Sequence, residues 1–206
     1  MEAVDALAAT YEKAGKWVDL VDILDSKVPL VDSVEEKVGL RIRIGEIWEQ
    51  RLGKVEEAIT SFRRGLELDG RDPRVLEALA AIHLGERRFA DLLPILRRQA
   101  GAASDKAAAR DVRLKIAALL DREMSELDKA IAEYRGIVED DETCIDAYKA
   151  LDEIFTRTER WEDLVEVFEQ RIPVEPDPGE AALLHSKAAG LYEERFSDLR
   201  KAAQHL

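Results

Sequence analysis

The chain repeats itself at an interval of 72 residues, and this interval restricts the folds available to it. Residues 16–21 (KWVDLV) reappear as residues 88–93 (RFADLL) and again as residues 160–165 (RWEDLV). The same offset carries Trp48 to Leu120 and Tyr192. A repeat that keeps its register along the whole chain predicts a stack of similar units, each packing mainly against its neighbours.

Apolar residues within each unit have the spacing of an α-helix and not that of a strand. Leu7, Tyr11 and Ala14, for example, fall on one helical face. The low aromatic content of 6% also favours helix over a β-sandwich. We predict an all-α fold of about twelve helices, four in each of the units 1–72, 73–144 and 145–206. The predicted helices span 2–14, 17–28, 34–51, 54–68, 73–85, 88–100, 106–123, 126–139, 144–157, 160–171, 178–195 and 198–206.

Turn residues support these helices, because equivalent positions carry equivalent signals. Ser33, Asp105 and Asp177 are 72 residues apart, and each is a favoured N-cap residue. A second set of equivalent positions predicts caps or tight turns before the following helix: Gly53, Ser125 and Ser197.

Half of each unit resembles the tetratricopeptide repeat (TPR), a helix-turn-helix motif of 34 residues. The clearest stretch is residues 52–59 (LGKVEEAI), followed by Phe62 and Gly65. The first hairpin is similar to the motif at its large, small, aromatic, turn-glycine and second aromatic positions, which are Leu7, Ala8, Tyr11, Gly15 and Trp17. The resemblance covers essentially the whole chain.

Two departures from the motif are regular. Leu20, Leu92 and Leu164 stand where the motif usually has alanine. Alternate hairpins also carry an extra residue before the turn, between Gly45 and Gly53. Alternating long and short hairpins resemble those of large bacterial TPR arrays.

The resemblance implies a right-handed α-solenoid of about six TPR-like hairpins. We expect residues 1–206 to form a single solenoid domain. We also expect the sequence to be a fragment of a longer array, because residue 206 falls halfway through a predicted helix.

Catalytic and metal-binding patterns are missing from the sequence. His83, His185 and His205 are far apart, Cys144 is the single cysteine, and neither an HExxH nor a CxxC motif occurs. A glycine-rich phosphate loop and a nucleophile elbow are also missing. We therefore expect no enzymatic activity, no metal and no cofactor.

Charge bears on the class of partner. The net charge of −13 is unfavourable for binding a polyanion, so nucleic-acid binding by a helical repeat is the less favoured alternative. No apolar run approaches the length of a membrane span, and the N-terminus has no signal-peptide core, so we expect a cytoplasmic protein without membrane insertion. End-to-end self-association is a further expectation.

In TPR arrays the first helix of each hairpin lines a concave groove, and transferring those positions predicts a binding surface. The thirty transferred positions hold 12 acidic and 5 basic residues, with several leucine and isoleucine side chains among them. The predicted partner-binding residues are Glu12, Ile42, Glu46, Glu49, Glu77, Leu84, Leu114, Asp121, Glu153 and Arg157. A merely solvated acidic face is the alternative interpretation.

These observations favour a protein–protein interaction scaffold that binds a basic, partly apolar peptide or helix in the concave groove. The alternative function is a regulatory or spacer segment of a larger multidomain protein, with catalysis in another part of that protein.

Overall fold

The computed structural model describes residues 2–206, and the regular structure in this range is entirely helical. Its twelve α-helices confirm the predicted all-α fold of helical hairpins. They are α1 (Glu2–Lys13), α2 (Trp17–Lys27), α3 (Val34–Glu46), α4 (Val55–Leu68), α5 (Pro73–Gly85), α6 (Phe89–Ala102), α7 (Lys106–Arg122), α8 (Leu127–Asp140), α9 (Ile145–Arg157), α10 (Trp161–Arg171), α11 (Pro178–Glu194) and α12 (Leu199–Ala202).

The chain divides into two compact units, the first ending at Ala109 and the second comprising Arg110–Leu206. In the first unit, Ala8, Leu20, Leu24 and Ile44 form a core between α1, α2 and α3. A second core in the same unit joins α3, α4 and α5 and contains, among others, Val38, Phe62, Leu76 and Leu79.

One continuous core fills the second unit. Tyr134 of α8, Tyr148 and Phe155 of α9, Phe168 of α10 and Leu184 of α11 belong to the same cluster of buried side chains. Large apolar side chains from consecutive helices therefore pack together, and their removal from water stabilises the fold of this unit.

The three predicted N-caps are confirmed. The Oγ atom of Ser33 accepts a hydrogen bond from the Glu36 amide at 3.3 Å. The Oδ1 atoms of Asp105 and Asp177 accept from the amides of Ala108 and Gly179, each at 2.8 Å. Each cap pairs an amide in the first turn of its helix that no carbonyl within the helix can reach.

The extra residue of the long hairpins is accommodated at the end of their first helix. Five residues after α3, Ile47–Arg51, adopt a π-helical turn, and the Lys54 amide donates to the Trp48 carbonyl at 2.8 Å. The same bond across six residues recurs from Glu126 to Leu120 and from Asp198 to Tyr192. A short hairpin closes with a bond across five residues instead, such as Lys16 to Tyr11.

Gly53, Ser125 and Ser197 all occupy left-handed backbone conformations in these turns, with φ between 54° and 64°. They are therefore turn residues, whereas Lys54, Glu126 and Asp198 hold the N-cap positions of the next helices. Only glycine adopts such a φ without steric cost, so Gly53 suits this turn better than the two serines.

The last helix is shorter than the predicted span 198–206, since α12 ends at Ala202. The chain then tightens: the amide of Gln204 bonds to the Lys201 carbonyl, and that of His205 to the Ala202 carbonyl. This turn brings the His205 ring to within 3.0 Å of His185, measured between their Nδ1 atoms.

Candidate functional site

A groove with a volume of about 610 Å³ lies between α9, α10 and α11 in the second unit. Its apolar lining comes from Leu164 and Phe168 of α10 and from Leu191 of α11. Gly190 leaves space on the α11 side, because a Cβ atom added there would meet nothing within 4 Å. The groove can therefore receive an apolar side chain from outside the chain.

Charged side chains surround this apolar floor: Asp152, Glu153, Arg157, Lys187 and Glu194. Two of them, Glu153 and Arg157, belong to the predicted binding residues. The other apolar and basic members were not among the transferred positions: Leu164, Phe168, Lys187 and Leu191. Leu164 is nevertheless recognisable in the sequence as a departure from the motif, which usually has alanine at this position.

Most of these charges are already paired within the second unit. Arg157 forms an ion pair with Asp121 of α7, whose side chain is only 7% exposed. Lys187 Nζ lies 3.7 Å from an Asp152 carboxylate oxygen and 5.6 Å from the centre of the Phe168 ring. Glu153 lies 3.8 Å from Arg122, although both side chains remain exposed.

Glu194 is the acidic residue of this groove without an ion-pair partner among residues 2–206. The thirty transferred positions hold 12 acidic and 5 basic residues. This count overstates the negative charge that is free to attract a partner to the groove, because sequence positions do not show which acids are paired. The groove combines an apolar floor with one free carboxylate.

The remaining predicted binding residues lie apart from this groove. Ile42 and Leu114 are half-buried against the cores of their units, so less of their surface is free for a partner. Leu84 is 58% exposed. Glu12 pairs with Arg43 of α3 at 2.7 Å, Glu46 and Glu77 are exposed, and Glu49 is half-buried in the π-helical turn.

A second cluster of polar side chains joins α10, α11 and the C-terminal turn. His205 stacks on Tyr192 with ring centres 5.8 Å apart, and the Tyr192 hydroxyl donates to Glu169 at 2.6 Å. Burial, followed by this hydrogen bond, raises the pKa of Tyr192 to about 12. The sequence offered no sign that His185 and His205 are neighbours, because no motif spacing links them.

This cluster does not form a metal centre, since residues 2–206 contain no group of three or more His, Cys, Asp or Glu side chains arranged to hold an ion. In the same range, every helix is too short or too polar to cross a bilayer.

Residues 147–182, which contain most of α9, all of α10 and part of the groove, match the model of the tetratricopeptide repeat family. This segment is therefore similar to a tetratricopeptide repeat. It covers one of the six helical hairpins, so the 72-residue period remains a prediction. Among curated proteins, no match to this chain is found.

Several solved structures resemble this chain at low sequence identity. MamA is 16% identical, with 84% of this chain and 97% of MamA covered and a TM-score of 0.49. A tetratricopeptide repeat protein from Parabacteroides merdae is 16% identical, with 99% and 76% covered and a TM-score of 0.48. YrrB, described as a TPR protein with an unusual peptide-binding site, is 12% identical, with 84% and 89% covered and a TM-score of 0.47.

Proposed function

We propose that this chain is a non-catalytic protein-interaction scaffold that binds a short segment of a partner protein. The observation that carries the proposal is the groove between α9, α10 and α11, where an apolar floor opens between the first helices of two hairpins. The segment that matches the TPR family contributes two of its three walls.

The partner segment is partly apolar and basic. The half-buried Leu191 provides the exposed apolar surface on which a leucine or aromatic side chain packs, while Leu164 and Phe168, only 3% and 2% exposed, form the bottom of the groove. Removal of the partner's side chain from water supplies most of the binding energy. Glu194 offers a carboxylate to a lysine or arginine of the partner. Of the ten residues predicted from the sequence, Glu153 and Arg157 belong to this groove, and a contact of the other eight with a partner stays a prediction.

Salt dependence follows from the pairing of charges within the groove. Because Arg157, Lys187 and Glu153 already have partners, only a small free charge attracts the ligand. Affinity should therefore weaken only modestly as ionic strength rises. A steep salt dependence would mean that another, more acidic surface binds the partner.

Filling the groove tests the proposal without disturbing the core. The variant Gly190→Leu places a side chain in the open space of the groove, and its Cβ atom clashes with nothing. Gly101→Leu is the matched control, because Gly101 is also helical and free of neighbours at Cβ but lies in α6. Both variants should unfold at or above the temperature of the unmodified chain, since leucine favours helix over glycine.

The probe is a short synthetic peptide of Lys, Leu and Ala in amphipathic order, titrated by fluorescence anisotropy. We expect Gly190→Leu to weaken its binding about tenfold or more, the affinity equivalent of one lost apolar contact, and Gly101→Leu to leave it unchanged. Glu194→Gln should weaken binding about two- to fivefold. Equal affinities for the unmodified chain and Gly190→Leu would overturn the assignment of this groove.

A further inference from the structure

The groove of the second unit has a counterpart in the first unit, 144 residues earlier in the sequence, between α1, α2 and α3. Leu20 of α2 stands at the position of Leu164. One turn later, Leu24 stands at the position of Phe168. All four side chains are at most 3% exposed and belong to the cores of their own units. The bottom of the groove is therefore built in the same way in both units.

The two grooves differ in how much apolar surface water can reach. Leu191 of α11 is half-buried, whereas its counterpart in the first unit, Ile47, is only 7% exposed. The residue before it is Gly190 in the second unit and Glu46 in the first. An apolar side chain from outside therefore finds accessible apolar surface at Leu191 but scarcely any at Ile47.

An ion pair crosses the groove of the first unit. Glu12 of α1 binds Arg43 of α3 at 2.7 Å. The corresponding residues of the second unit are Thr156 and Lys187, so the acid is missing at this point. Lys187 lies instead 3.7 Å from Asp152, one helical turn nearer the start of α9.

The bridge between the two walls is thus displaced by one turn between the units. The first unit has Ala8 where the second has Asp152, so each groove has one acid at these two positions. Thr156 is exposed and donates its hydroxyl hydrogen to Asp152 at 3.1 Å, which helps to hold this acid one turn away. Because Thr156 and Gly190 are small, they leave the apolar surface beside them uncovered.

We infer that the position of this ion pair decides which groove receives a partner segment. The inference rests on the proposed function and makes Thr156 a specificity-determining residue of its groove. With the bridge at Asp152, the surface at Leu191 stays accessible to an apolar side chain that is flanked by a lysine or arginine. With the bridge at Glu12, the groove of the first unit is closed, so the chain binds one such segment.

The double variant Asp152→Ala/Thr156→Glu gives the second unit the arrangement of the first without changing the net charge. We expect it to weaken binding of the amphipathic Lys/Leu/Ala peptide about fivefold, because the peptide must displace an exposed ion pair. Adding Lys187→Gln removes the cation of that pair and should restore the affinity. The bulk of the introduced side chain alone would not respond to this third change.

The matched control is Asp22→Ala/Thr60→Glu. It makes the same two exchanges at exposed positions of α2 and α4, away from the residues that line either groove, and should leave the affinity unchanged. Titration calorimetry should give one peptide bound per unmodified chain. Unaltered affinity in Asp152→Ala/Thr156→Glu, or two peptides bound to the unmodified chain, would overturn the inference.

The exposure of Leu191 can also be measured without a peptide. A soluble paramagnetic probe should broaden the methyl resonances of Leu191 more than those of Ile47, and the double variant should reduce the broadening at Leu191. Equal broadening of the two residues in the unmodified chain, or no change in the variant, would contradict closure by the ion pair. An unmodified chain that binds no peptide would contradict the proposed function instead, and the methyl measurement would still decide whether the ion pair closes the groove.

Discussion

The carboxylate of Asp121 and the guanidinium of Arg157 form an ion pair between α7 and α9, and the two side chains differ sharply in exposure. The Asp121 side chain is 7% exposed and that of Arg157 50% exposed. Water can therefore solvate the arginine alone but scarcely the aspartate alone. Asp121 is accordingly turned towards its own chain and is a poor contact for a partner's cation.

This asymmetry predicts unequal costs for removing the two partners. Arg157→Leu leaves a nearly buried carboxylate unpaired and should lower the free energy of unfolding by about 1–3 kcal/mol. Asp121→Asn leaves a half-exposed guanidinium and should cost less than about 1 kcal/mol. Urea denaturation at neutral pH measures both values. Equal costs would contradict the burial of Asp121.

Two glycines of α3 should respond in opposite ways to alanine. A Cβ atom on Gly45 would lie 2.6 Å from the Phe62 ring, so Gly45→Ala should destabilise the protein by about 1–3 kcal/mol. Gly39 has open space around it, so Gly39→Ala should stabilise by about 0.5–1 kcal/mol through helix propensity.

Combining Gly45→Ala with Phe62→Leu should recover part of the loss, because the smaller side chain vacates the contact. Gly45→Ala and Gly39→Ala are compared by thermal unfolding, which is monitored by circular dichroism. A Gly45→Ala variant as stable as Gly39→Ala would show that α3 and α4 are further apart than described.

His83 gives the first unit a dependence of stability on pH. The imidazole is 1% exposed, its Nδ1 atom has no hydrogen-bond partner within residues 2–206, and burial lowers its pKa from the ordinary value of 6.5. The nearby cations Arg88 and Arg63 lower the pKa further, while Asp91 opposes them.

Between the folded and unfolded pKa values, His83 is therefore protonated in the unfolded chain and neutral in the folded chain. Stability should fall as pH drops below about 6.5, by at most about 1.4 kcal/mol per pH unit, until the folded pKa is reached. His83→Phe introduces the residue found at the equivalent position 155 and should remove this part of the slope. Parallel pH profiles of the two proteins would refute the role of His83.

Helix positions could be predicted from the sequence because they depend on local signals. The caps at Ser33, Asp105 and Asp177 and the apolar period of the helices are properties of neighbouring residues, and the structure confirms them. The wide turn after α3 could be recognised only as an extra residue. Its π-helical form depends on how Trp48 and Lys54 close the hairpin.

The candidate groove could be predicted only in part, because its character depends on contacts between distant residues. Two of the transferred positions, Glu153 and Arg157, lie beside the groove, but the floor comes from Leu164 and Phe168 on the second helix of the hairpin. The partner of Arg157 is Asp121, 36 residues away, and sequence spacing does not reveal such a pair. The number of unpaired acidic side chains at the groove was therefore overestimated from the sequence.

The most direct test of the proposed scaffold function is to locate a bound peptide on the chain by NMR. Amide resonances of the full protein are compared with and without the amphipathic Lys/Leu/Ala peptide. The largest shifts should fall on α9 and α11 near Thr156 and Gly190, and Gly190→Leu should abolish them. Shifts confined to other helices, or shifts that persist in Gly190→Leu, would contradict binding in this groove.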